Sequence, residues 1–150
     1  MNWKAEAVDK LRKYDAMKMA TINIPQEIAR LESKATAIRS KTADSAPVCG
    51  GSSNREDAMI NNLVERNELE RELSNATAWV DIVERAMVCL QQEEKTILQR
   101  LYIYPQKGAL ARLCNELGVE SSSIYRRRDQ ALQTFTLALY GATGEEPSKG

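Results

Sequence analysis

From Arg55 to Leu90 the chain contains neither proline nor glycine, and Leu69, Leu73, Ala76, Val80, Val83, Met87 and Leu90 follow one another by alternating steps of four and three. That spacing keeps one apolar seam on the same side of a helix through three heptads. At 1.5 Å per residue such a helix extends roughly 50 Å, far more than a small domain needs for its own core. It therefore requires a partner along its length. Met59, Ile60, Leu63 and Val64 add an upstream apolar face, with the polar Arg66 and Asn67 interrupting the series before Leu69.

Two partners are open to it: the preceding segment of the same chain, or the same helix of a second copy. Trp3, Ala7, Leu11 and Tyr14 lie at helical spacing, which predicts an amphipathic helix to about Met19. Thr21-Ile22-Asn23-Ile24-Pro25 is then expected to break it, because the residue ahead of a proline is pushed towards extended geometry. Ile28, Leu31, Ala35 and Ile38 predict a second helix to about Arg39. Between residues 42 and 54 the composition turns to glycine, serine and proline, the signature of a connecting loop. Cys49 within it has no cation beside it and reads as an ordinary thiol.

Charge supports folding back. The 21 basic and 21 acidic residues cancel overall, but residues 1–42 carry 9 basic and 5 acidic side chains, while residues 43–90 carry 4 and 9. The first segment is positive and the second negative. A dimeric bundle in which both modes of pairing coexist is the expected assembly.

The same residue inventory excludes several chemistries. Histidine is absent, which removes histidine-dependent nucleophile systems and histidine-bearing zinc sites. Three dispersed cysteines, Cys49, Cys89 and Cys114, cannot make a four-cysteine site, and no glycine-rich phosphate loop is present. No enzyme, cofactor or metal centre is expected. No run of 18 apolar residues is present, and the odd, widely spaced cysteines suit a reducing cytoplasm.

The last third of the chain carries a different pattern. Gln91-Gln92-Glu93-Glu94 opens a helix with acidic residues in its first turn, Ile97, Leu98, Leu101 and Tyr102 supply its buried stripe, and Pro105 stops it. A second helix is predicted from about Ala109 to Leu117, with Leu110, Leu113, Cys114 and Leu117 inward, and Cys114 acting as a small core residue. Gly118 sits where a left-handed turn is needed, and Glu120 or Ser121 starts the next helix. On that helix Ile124, Ala131, Leu132, Phe135 and Leu139 share one face, so Ser122, Tyr125, Arg126 and Asp129 share the other. Two helices joined by a short turn containing glycine predict a helix-turn-helix, whose second helix enters the major groove of duplex DNA.

The candidate DNA-binding residues are Ser121, Ser122, Ser123, Tyr125, Arg126, Arg127 and Arg128. The serines are short enough to let a helix start approach DNA closely. Arg126 is the expected base reader, since bidentate arginine to guanine is the commonest specific contact, and Arg127 and Arg128 on the flanks are expected to meet phosphate. The competing account makes the three arginines a solvated face paired with Glu120 and Asp129.

The stretch from Gln92-Glu93-Glu94-Lys95-Thr96-Ile97-Leu98 through Leu113 to Leu132 resembles the region-4 helix-turn-helix of sigma-70-type factors, and is closer still to phage-encoded late transcription regulators of the ArpU and RinA kind. By layout the resemblance covers essentially the whole chain; by motif it covers about residues 90–140. It implies control of transcription through DNA, often beside RNA polymerase, in a bacterial host cytoplasm. Leu117-Gly118-Val119 match the turn, Ile124 the buried position, and Ser121, Ser122, Tyr125 and Arg126 the exposed recognition positions. Glu120 departs from the Ser or Thr cap usual there.

The expected architecture is thus all-α. Residues 1–90 form a helical hairpin for self-association through the long, coiled-coil-like central helix, residues 91–141 the DNA-binding module, and residues 142–150 a flexible tail. A homodimer would present two recognition helices to two half-sites. Two other functions fit the same pattern: a protein-interaction module acting on RNA polymerase or another regulator, and a small terminase subunit binding packaging-site DNA.

Overall fold

The structure, a computed structural model, describes residues 2–44 and 51–143. All regular structure among them is helical. In chain order the helices are α1 (Trp3–Asp44), α2 (Gly51–Met87), α3 (Gln92–Leu98, continued by a π-helical turn Gln99–Ile103), α4 (Ala109–Leu117) and α5 (Ser121–Tyr140). The chain divides into two units: one comprises residues 1–17 and 78–150, the other residues 18–77. Cys49 and the centre of the expected loop lie outside the described residues, as does most of the expected tail, residues 144–150.

Three expectations are corrected. First, α1 does not break ahead of Pro25, which lies inside a single helix. An interior proline forfeits one backbone hydrogen bond and costs about 3 kcal/mol. Against that, Thr21, Ile24, Ile28, Leu31, Ala35 and Ile38 keep alternating steps of three and four across the proline, and all are buried or half-buried while Pro25 is exposed. Breaking the helix would throw this stripe out of phase. Second, helix extends further towards the connection than composition suggests, to Asp44 on one side and from Gly51 on the other. Third, the division of the chain does not fall at residue 90: the first turns of α1 and the last of α2 belong with the C-terminal helices.

In the unit formed by residues 1–17 and 78–150, Ala7, Leu11 and Tyr14 of α1 meet Val83, Ala86 and Met87 of α2, Leu90 and Leu98, and Ala131, Leu132 and Phe135 of α5. Leu11, Leu98 and Phe135 are fully buried. Burying a side chain of this size stabilises by about 1.5–3 kcal/mol, so this layer dominates the unit's stability. Two polar groups at its margin are satisfied, the Tyr14 hydroxyl donating to Glu84 Oε1 at 2.6 Å and Trp79 Nε1 to the Lys10 carbonyl at 3.1 Å, while the Tyr140 hydroxyl is buried without a hydrogen-bond partner. The seam expected from Val80 to Leu90 is used here, within one chain.

A second, smaller core holds the C-terminal helices together. Ile97 of α3, Leu113 of α4 and Ile124 of α5 are buried against one another, with Leu101, Leu110, Cys114, Leu117 and Val119 around them. The Gln91 amide donates to Glu94 Oε1 at 3.0 Å, which secures the start of α3.

In the unit of residues 18–77 the α1 stripe faces a continuation of the α2 seam. That seam is not the apolar face expected upstream of Leu69. Met59, Asn62, Arg66, Leu69, Leu73 and Ala76 turn inward in strict three-and-four steps, while Ile60, Leu63 and Val64 are 58%, 49% and 47% exposed. Asn62 is buried, and both ends of its amide are used: Nδ2 donates to the Leu31 carbonyl at 2.8 Å, and Oδ1 accepts from Arg66 Nε at 2.8 Å. A satisfied polar residue in a helical seam pins the register of the pair at some cost in stability.

Candidate nucleic-acid interface

The connection between α4 and α5 is built on Gly118, whose φ of 65° places it in the left-handed region that closes a helix cheaply only with glycine. Its Cβ position is open space, so the requirement is conformational rather than steric. The Val119 amide donates to the Cys114 carbonyl at 3.2 Å, and Val119 plugs the small core. Of the two possible caps, Glu120 occupies the position, with extended backbone, but its side chain makes no capping bond. The first turn of α5 thus presents the exposed Ser121 and Ser122 with no side chain folded over it, while Ser123 is half-buried.

At about 100° of rotation per residue, three consecutive arginines must leave a helix in three directions. Arg126 points away from the buried row of Ile124, Ala131 and Phe135 and is exposed. Arg127 turns towards α3, where Nη1 bonds to Glu93 Oε1. Arg128 lies on the side of the core; its guanidinium carbon is 4.9 Å from the centre of the Tyr125 ring, and Nη2 donates to Asp129 Oδ1 at 2.9 Å. Arg127 and Arg128 side chains are only 34% and 28% exposed. Both are engaged within the protein, and only Arg126 of the three stands out from it.

Asp129 also sits 3.8 Å from Lys4 Nζ in the first turn of α1, so its carboxylate lies between two cations. Beside it a shallow hollow of about 460 Å³ is lined by Lys4, Arg126, Asp129, Gln130, Gln133 and Thr136. Gln130 and Gln133 continue the outward row of Ser122, Arg126 and Asp129 along α5. Their spacing of four and seven from Arg126 makes them legible in the sequence, although they were not among the candidates. Lys4 was not legible, since 122 residues separate it from Arg126.

No group of histidine, cysteine and carboxylate side chains able to hold a metal is present among the described residues. Cys89 and Cys114 are free thiols, the latter half-buried beside the small core as expected. No described helix is long and apolar enough to cross a membrane. No protein-family model, curated protein or solved structure matches this chain.

Proposed function

We propose that the chain is a sequence-specific duplex-DNA-binding regulator of transcription, of the phage late-regulator kind, in which α4 and α5 act as a helix-turn-helix and α5 enters the major groove. The observation that carries this reading is the outward face of α5: an unobstructed first turn of short serines after a left-handed glycine, followed one turn later by Tyr125 and the exposed Arg126. Such a face has the reach and the donors that base edges and phosphates require. Arg126 reads a base. Ser121 and Ser122 approach the backbone closely with hydroxyl and amide donors. Arg127, bonded to Glu93, holds the angle of α5 on α3, and Arg128 lends its charge from beside Tyr125.

Dimerisation belongs to the same proposal. The seam of α2 is occupied by α1, so the exposed apolar surface that α2 itself offers a second copy is the outer stripe Ile60, Leu63 and Val64. Asp57 and Arg71 lie seven residues to either side of Val64. Two α2 helices crossing antiparallel at Val64 therefore set Asp57 of each copy opposite Arg71 of the other. A stripe this small supports weak association, which two adjacent DNA half-sites would strengthen by raising effective concentration.

Selection of binding sequences from random duplex DNA tests the proposal. An enriched motif is expected, bound with a steep salt dependence, and its half-site spacing reports the geometry of the dimer. Arg126→Ala should lose about 1–3 kcal/mol of preference for that motif over random duplex. Failure of the wild-type chain to bind any duplex at low salt would overturn the reading and leave the exposed face of α5 to a protein partner.

A further inference from the structure

We propose that the DNA-contacting surface continues from α5 onto the first turn of α1, where Lys4 clamps a backbone phosphate beside Gln133. The inference rests on the DNA-binding reading above and extends it to a part of the chain outside the α4–α5 pair. Ser122 and Gln133 share the outward row of α5 eleven residues apart, which separates them by roughly 16 Å along the helix. The major groove is about 12 Å wide. A helix whose first turn reaches the base edges therefore brings Gln130 and Gln133 to the sugar-phosphate ridge that bounds the groove.

Lys4 is the cation placed at that end. It lines the hollow with Arg126, Gln130 and Gln133, and its side chain is 53% exposed. Its backbone position is held firmly: the Trp3 ring lies 4.7 Å from that of Tyr140 at the end of α5, and Asn2 Oδ1 accepts from the Ala5 amide at 3.1 Å to start the helix. Its ammonium group, by contrast, is lightly held. The contact with Asp129 is 3.8 Å long and half exposed on both sides, a class of pair worth about 0–1 kcal/mol. Lys4 can exchange Asp129 for a phosphate oxygen at little cost. Asp129 then keeps Arg128 at 2.9 Å, so its carboxylate does not face the phosphate uncompensated. The two glutamine amides supply neutral donors to the same ridge.

The test compares salt-dependent binding of the full chain to a random-sequence duplex and to the sequence enriched by selection. Lys4→Ala should weaken both to a similar extent and reduce the slope of log affinity against log salt by about 0.9, the signature of one lost phosphate contact. Lys4→Arg should restore the slope. Arg85→Ala serves as the matched loss of charge: Arg85 lies on α2 in the same unit, is 71% exposed and pairs with Asp81 at 3.3 Å, and its removal should leave the slope unchanged. If Lys4→Ala behaves like Arg85→Ala while the wild type binds normally, the clamp is wrong and the DNA reading stands. A loss confined to the enriched sequence also overturns it, because a phosphate contact carries no sequence preference. Absence of wild-type binding overturns both.

Discussion

The two units of this chain are built on the same pair of helices and the same alternation of three and four residues, yet they hold together by different means. In residues 1–17 and 78–150 the seam closes on fully buried Leu11, Val83, Leu98, Leu132 and Phe135, because α5 lies against the helix pair and completes a core. In residues 18–77 only Leu31, Ala35 and Ala76 are buried apolar residues among those described, and the centre of the seam is the amide of Asn62. A helix pair without a third element has too little apolar surface to dry its interior. Heptad spacing thus sets which side of a helix faces its partner, and the number of neighbours sets how much stability that facing yields. The candidate DNA-binding face stands on the well-packed unit, where rigid placement of side chains is obtained.

The sharpest way to break this contrast is Phe135→Ala. Removing a fully buried aromatic ring from the layer shared by α1, α2 and α5 should cost about 3–5 kcal/mol and unfold that unit at moderate denaturant. Circular dichroism during denaturation reads the loss; a cost under 1 kcal/mol would mean that α5 does not complete the core. A smaller effect is expected from Asn62→Ala, which removes the second donor to the Leu31 carbonyl and the acceptor of half-buried Arg66 Nε and should cost about 1–3 kcal/mol. Native-state hydrogen exchange should then rise for α1 amides between Ile24 and Ile38 while those between Ile124 and Phe135 stay protected. Equal acceleration in both would show that the units open as one. Smallest is Val64→Glu, which places like charges at the proposed crossing of two copies. Sedimentation should show self-association weakened by roughly tenfold, the equivalent of about 1.4 kcal/mol, with the stability of either unit unchanged. Unaltered association would remove the Val64 crossing.

Much of the C-terminal region was legible in the sequence, because local signals there agree with the tertiary result. The limits of α4, the left-handed Gly118, the start of α5 and its division into the inward Ile124, Ala131, Leu132 and Phe135 and the outward Ser122, Arg126 and Asp129 all follow from turn chemistry and helical periodicity. The N-terminal region was less legible. Pro25 is a strong local breaker, and only the unbroken phase of the stripe from Thr21 to Ile38 signals that helix persists through it. Asn62 and Arg66 are polar and do not mark a seam by composition, although their positions continue the four-and-three rhythm back from Leu69. Hydrophobicity alone favours Ile60, Leu63 and Val64, which the structure leaves outside.

By itself, the sequence determined an all-helical chain, the inward face of the long helix from Leu69 to Met87 and the residues that α5 turns outward, since each depends on contacts within a few residues and on a period set by backbone geometry. Tertiary structure alone decided that Arg127 is spent on Glu93, that Lys4 comes to stand beside Arg126, and that the first turns of α1 share a core with Phe135. Those outcomes join residues separated by up to 128 positions. No local pattern encodes them, because a charged side chain takes whichever partner the packing of other helices brings within reach.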